Sequence, residues 1–148
     1  MSGIFGMNIK MAIYGESHGK SIGVVLDGLP PGLALDEAAI AAEMARRAPG
    51  QNALSTARKE SDTIEIQSGF FNGFTTGTPL CARIVNSDQH SKDYSILADK
   101  MRPGHADYAG HVRYQGFNDY RGGGHFSGRL TAPLVFAGAV AKQALTQY

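Results

Sequence analysis

Lys10-Met11-Ala12-Ile13-Tyr14-Gly15-Glu16-Ser17-His18-Gly19-Lys20-Ser21-Ile22-Gly23-Val24-Val25-Leu26-Asp27-Gly28 is the stretch on which the architecture turns. Lys10 to Tyr14 and Ile22 to Leu26 predict two short strands, and the Gly-Glu-Ser-His-Gly loop lies between them. Asp27-Gly28 and Pro30-Pro31-Gly32 are turn signals that close this unit. A helix follows. Asp36 supplies an N-cap, Ile40 and Met44 fall on one face, Arg46 and Arg47 occupy the last turn, and Pro49-Gly50 stops it.

Further along, Gln51 to Asp62 is polar and predicts a mobile loop. Thr63 to Gln67 alternates, with Ile64 and Ile66 inward around Glu65, and predicts a half-buried strand. Asn72-Gly73 is a hairpin turn signal, and Pro79 to Val85 predicts another strand. Ser87 to Gly124 is long and polar; such a stretch is either functional or holds a helix the pattern does not disclose. Thr131 to Gln147 predicts a helix capped by Thr131, with Pro133 tolerated in its first turn. Ala137, Gly138, Ala139 and Ala141 form a flat face suited to close packing. No repeat, low-complexity segment or linker interrupts the chain, so residues 1–148 read as a single α/β domain.

The 148 residues suffice for one domain with a sizeable core, and a 43% hydrophobic content argues against disorder. The formal net charge of +1 provides no global attraction to nucleic acid or to anionic membrane, so neither is an expected partner. Cys81 is the only cysteine and lies in the apolar run Pro79-Leu80-Cys81-Ala82, where a buried small hydrophobe is the simplest reading. Met1 to Lys10 lacks the apolar core of a secretory signal, and no run reaches the ~20 apolar residues of a membrane span. These features fit a reducing cytoplasm.

Three loop segments carry the chemistry. In Arg121-Gly122-Gly123-Gly124, glycines let backbone N–H groups approach an anion, and Arg121 and Arg129 bracket the loop as bidentate donors. The same segment also reads as a flexible turn with two surface arginines, and spacing alone leaves both readings open. It matches neither a P-loop nor a dinucleotide fingerprint. His18 sits in the first loop beside Ser17 and Glu16. His105 follows Pro103-Gly104 and precedes Asp107, a carboxylate within reach of a proton from the ring.

The other histidines, His90, His111 and His125, share no helical i,i+4 spacing with these two, so we expect no metal site. Gly15-x-Ser17-x-Gly19 meets the bare nucleophile-elbow pattern, but the oxyanion loop and the later acid–histidine pair of a hydrolase are missing. Arg46, Arg47, Arg58 and Lys59 frame the polar loop. They serve either as a basic mouth over a phosphorylated ligand or as cations at a helix end.

Taken in order, Gly15-Glu16-Ser17-His18-Gly19, Asp27-Gly28-Leu29-Pro30-Pro31-Gly32, Arg46-Arg47-Ala48-Pro49-Gly50, Thr75-Thr76-Gly77-Thr78-Pro79, Ser91-Lys92-Asp93-Tyr94, Arg102-Pro103-Gly104-His105-Ala106-Asp107-Tyr108 and Asp119-Tyr120-Arg121-Gly122-Gly123-Gly124 closely resemble the chorismate synthase family. The resemblance covers nearly the whole chain. It implies an α+β fold, a β-α-β sandwich of which this chain is the N-terminal half, assembled as a homotetramer. It implies loss of phosphate and a hydrogen from 5-enolpyruvylshikimate 3-phosphate, a trans-1,4-elimination giving chorismate, with reduced FMN as cofactor and no net redox change.

Residue by residue, His18 and His105 match the two catalytic histidines. We place His105 on the flavin and His18 on the departing phosphate. Arg47 matches a position assigned to nicotinamide nucleotide, and His125, Phe126 and Ser127 occupy a flavin-contact segment. Ser17, Arg46, Arg121 and Arg129 are the expected substrate contacts.

Three departures are visible. Ala48 and Ala53 stand where many members have arginine, and His125-Phe126-Ser127 replaces a common Arg-Ser-Ser. The lost positive charge argues against flavin reduction by NADPH at this site. Members also run to roughly twice this length or more, so the chain is expected to be inactive alone. The competing reading is a non-catalytic anion- or nucleotide-binding domain that keeps the family loops.

Overall fold

The computed structural model describes residues 3–48, 62–87 and 99–147. Its centre is a five-stranded antiparallel sheet in the order β1-β2-β3-β7-β4. The strands are β1 (Ile4–Phe5), β2 (Lys10–Gly15), β3 (Ser21–Asp27), β4 (Glu65–Ser68) and β7 (Leu80–Val85). A small hairpin, β5 (Phe70–Phe71) with β6 (Phe74–Thr75), stands apart. Among the described residues there are three α-helices, α1 (Glu37–Arg47), α2 (Asp107–Arg113) and α3 (Thr131–Gln147), and two short 3-10 helices, Arg121–Phe126 and Gly128–Leu130. An antiparallel sheet with separate helices is the α+β class that the resemblance implied, not the α/β class read from the order of elements.

Register explains the core. Ile22 pairs with Ile84, Val24 with Ala82 and Leu26 with Leu80, and all six side chains are buried. Side chains alternate along a strand, so these partners lie on one face. That face receives Ile40 and Met44 of α1 and Ala132, Phe136, Ala139 and Val140 of α3. On the opposite face Tyr14 pairs with Gly23, and its ring occupies the space above that glycine. The Tyr14 hydroxyl lies 3.9 Å from Cys81 Sγ, and burial, followed by the neighbouring thiol, raises its pKa.

The N-cap of α1 is Asp36, whose carboxylate accepts from Ala38 N at 2.8 Å and Ala39 N at 3.0 Å. Asn72 and Gly73 both adopt positive φ, 49° and 86°, the type I′ geometry that suits a two-residue hairpin. The long polar stretch after Ser87 does contain a helix, α2.

Three further expectations need correction. Of the stretch from Gln51 expected to be a mobile loop, only Asp62 lies within the described residues, and it is held fast: it is buried, with two arginine side chains on its carboxylate. Thr131 does not cap α3; its hydroxyl donates to Gly128 O at 2.6 Å, while Ser127 caps the tight turn Gly128–Leu130 that leads into the helix. The small residues of α3 do not form one packing face. Ala139 is buried, whereas Gly138 and Ala141 are exposed, and Phe136 and Val140 make the close contacts. Helical periodicity puts residues 136, 139 and 140 together and turns 138 and 141 away.

Candidate active site

The loop after β2 carries Ser17 and His18. It is tight: Gly19 N donates to Glu16 O at 3.0 Å, and Gly15 at its root has φ 95°. Asn86, one residue past β7, clasps it. Asn86 Nδ2 donates to Glu16 O at 3.1 Å and Gly19 O at 2.9 Å, and Asn86 N donates to Lys20 O at 3.1 Å. Ser17 N donates across to Gly124 O at 3.0 Å, so the first loop and the triple-glycine loop are joined through backbone. Ser17 and His18 are both buried.

The second histidine arrives from the turn before α2. Asp107 is the first residue of that helix, where a negative charge suits the helix dipole. Its carboxylate reaches back, accepting from Arg102 N at 3.0 Å, Arg102 Nε at 2.7 Å and Arg102 Nη2 at 2.9 Å. The Arg102 hydrogen bonds hold the Asp107 carboxyl well below the usual carboxylate range against the opposing effect of burial, and His105 adds to the depression. His105 Nδ1 lies 2.6 Å from Asp107 Oδ1. An ionised carboxylate only accepts, so Nδ1 carries the hydrogen and Nε2 is the ring atom left for chemistry. Arg102 Nη2 is 3.2 Å from Nδ1 and 3.3 Å from Nε2; a donating Nδ1 cannot also accept, so the guanidinium donates to Nε2.

The two histidines meet at the glycines. A Cβ built on Gly122 would fall onto Cε1 and Nδ1 of His18 and lie 3.2 Å from Ser17 Oγ. One on Gly123 would lie 2.7 Å from Cε1 and 2.9 Å from Nε2 of His105, and 3.2 Å from Arg102 Nη2. Gly122 and Gly123 have φ 58° and 86°, backbone that an L side chain adopts only at a cost. Adjacent residues therefore contact one imidazole each.

The expected arginines are placed variously. Arg121 is bidentate on Asp119, with Nε to Oδ1 at 2.9 Å and Nη2 to Oδ2 at 2.7 Å. That pairing, ahead of a smaller effect from His18, lowers the Asp119 pKa, and it raises that of Arg121. Arg129 is buried against Asp62 and donates Nε to Asn86 Oδ1 at 3.2 Å. Arg47 holds the other oxygen of Asp62, and Arg46 pairs with Glu43 at 2.9 Å on an open surface. In the segment expected to contact a flavin, His125 Nδ1 donates to Gly15 O at 2.8 Å. Phe126 packs over Gly110 and beside Tyr114, with ring centroids 6.1 Å apart, and Ser127 accepts from Arg129 N at 3.3 Å.

The structure thus brings Ser17, His18, His105, Arg102 and the glycines together. Arg46, Arg47 and Arg129 are engaged elsewhere, and Arg58, Lys59, His90 and Ser91-Lys92-Asp93-Tyr94 lie outside the described residues. Asp62, Asn86 and Asp119 were not singled out as site residues from the sequence. Asp119 stands two residues before Arg121, a local signal for their pairing; Asp62 and Asn86 act through partners 67 and 43 positions distant, which no local pattern reveals. Among the described residues no group of three or more His, Cys, Asp or Glu converges as a metal site, and no helix is long and apolar enough to cross a membrane.

Comparison with known proteins follows the same lines. The family model described as chorismate synthase matches residues 9–148. A chorismate synthase of Cytophaga hutchinsonii is 52% identical over 147 residues, covering 99% of this chain and 41% of the relative. One from Paraburkholderia xenovorans is 55% identical over 148 residues, covering 99% of this chain and 40% of the relative. A solved structure titled as the crystal structure of chorismate synthase superposes with a TM-score of 0.64 at 30% identity, covering 95% of this chain and 34% of that one. The chain therefore spans about 40% of the length of the curated relatives it matches. It belongs to the chorismate synthase family.

Proposed function

We propose that this chain carries the two-histidine part of a chorismate synthase active site, acting on 5-enolpyruvylshikimate 3-phosphate. The observation that carries the reading is the convergence of His18 and His105 on the adjacent glycines 122 and 123. In the reaction the allylic C–O bond to phosphate and one ring C–H bond break. The C–O pair leaves with the phosphate, the ring double bond shifts, the C–H pair becomes a second double bond, and chorismate, phosphate and a proton are the products. His105 is suited to hold and move a proton at Nε2, because Asp107 fixes the hydrogen at Nδ1. His18, beside Ser17 and buried under Gly122, is suited to protonate the departing phosphate in a site with little water.

The residues fit a reduced flavin on the His105 side. The His105 ring and Arg102 both lie against Gly123, so a cation and a proton-carrying ring stand together for an anionic flavin edge. His105 and Arg102 would hold it, together with the His125-Phe126-Ser127 segment that the family resemblance assigns to the flavin. When bound, reduced FMN supplies an electron transiently to help phosphate leave and takes it back, so there is no net oxidation. NADPH has weaker support, since Arg47 is committed to Asp62 and Ala48 is neutral. Adding NADPH is expected to leave the spectrum of oxidised FMN unchanged. A homotetramer in the cytoplasm belongs to the same reading; exposed Phe5, Met7 and Phe117 supply apolar surface for assembly, and ultracentrifugation measures it.

The test uses both this chain and a full-length relative. Calorimetry of the chain with reduced FMN under anaerobic conditions is expected to show binding. In the Paraburkholderia xenovorans relative, alanine at either position matching His18 or His105 is expected to cut chorismate formation by about 10²-fold or more, the scale of a general acid. Near-normal turnover in both variants would remove the histidines from the mechanism. Binding of FMN by this chain together with such a null result would leave it a nucleotide-binding role and give the histidines no part in the reaction.

A further inference from the structure

We infer that Gly122 and Gly123 are positioning residues that divide the work of the loop, Gly122 setting the ring of His18 and Gly123 the ring of His105. The three glycines are not equivalent. A Cβ on Gly124 would strike the Asp119 carbonyl, a backbone atom, so that glycine serves chain passage. A Cβ on Gly122 or Gly123 meets imidazole atoms first.

Neither ring has an easy retreat. His18 is only 6% exposed, in a turn that Asn86 clasps at both Glu16 and Gly19. His105 is tethered by Nδ1 to Asp107 and flanked by Arg102 Nη2. A methyl group at either glycine must therefore displace the ring or the loop, since packed interiors have no slack for it. The two rings are thus each set by a different, adjacent residue of one loop. For its catalytic meaning the inference rests on the proposed function, yet the geometry stands apart from it.

A double-mutant cycle on this chain tests the division. Gly122→Ala and Gly123→Ala each lower the melting temperature. His18→Ala is expected to recover part of the loss in the Gly122→Ala background and none in Gly123→Ala; His105→Ala is expected to do the reverse. Rescue of folding is itself the readout, so an alanine variant too unstable to fold still reports. Gly32→Ala controls for positive φ alone, having φ 81° and nothing within 4 Å of its Cβ. Its loss should respond to neither histidine change.

In variants that fold, imidazole ¹⁵N spectra are expected to move His18 alone for Gly122→Ala and His105 alone for Gly123→Ala. In the full-length relative each alanine is expected to reduce turnover by about 10²-fold, the scale of a small misplacement of a reacting group. Rescue by both histidine changes alike, or by neither, would overturn the inference. Selective rescue with no effect of the histidine variants on turnover would leave the geometry intact and remove only the reaction assigned to it.

Discussion

Asp62 shows how much a single side chain carries. Its carboxylate has no exposed surface, and each oxygen faces one guanidinium, Arg129 on Oδ1 and Arg47 on Oδ2. Removing one member of a buried ion pair strands the other, which typically costs about 3–5 kcal/mol. Asp62→Asn is therefore expected to lower unfolding free energy by that order in a urea titration, with little change in slope. An effect below about 1 kcal/mol would mean that Arg129 finds another acceptor. Arg129 passes the constraint on, because its Nε holds Asn86, which in turn clasps the His18 loop. The sequence presents Arg129 as a loop arginine open to substrate. Folding places it inward, and nothing within a few residues of position 129 announces the acid 67 positions away.

Among the elements, α3 packs against α1, β3, β7 and the turn Gly128–Leu130. Phe136 and Val140 seal the sheet face, and the last turns do something different. Gln143 brackets Asp36, accepting from its N at 2.7 Å and donating to its O at 3.0 Å. Gln147 treats Ala34 the same way, at 3.2 and 2.9 Å. Residues four apart on a helix lie on one side, and residues two apart in an extended chain point alike, so two glutamines secure the segment leading into α1. Gln143→Ala with Gln147→Ala is expected to cost about 1–2 kcal/mol, two weak bracketing interactions in an exposed place. Thermal melting measures the loss, and faster amide exchange at Ala34 and Asp36 would locate it. The span Thr131–Gln147 was readable from pattern, and so was the Asp36 cap. The glutamine bracket was not, since glutamine on a helix surface ordinarily faces water.

For the whole molecule, acid is the condition that separates local from global stability. Arg102 depresses the Asp107 pKa and Arg121 that of Asp119. A carboxyl whose folded pKa lies below its unfolded one stabilises the fold above the ordinary carboxylate range, and the contribution is lost as pH falls through the folded pKa. Stability is thus expected to decline progressively below pH ~4, and Asp107→Asn, already deprived of the ion pair, to decline less steeply. Parallel pH curves for the two proteins would show that Asp107 contributes nothing to the dependence.

The sequence by itself determined the elements whose periodicity is local: β2, β3, β7, α1, α3 and the Asn72-Gly73 turn. It also marked the loops rich in glycine, histidine and arginine as the candidates for chemistry, by residue type alone. Only tertiary structure decided which of those residues meet. His18, His105 and the glycines come from three segments, and their convergence depends on sheet register and on buried ties such as Asp62–Arg129–Asn86. Such ties depend on partners distant along the chain, so their energy appears only when the fold closes.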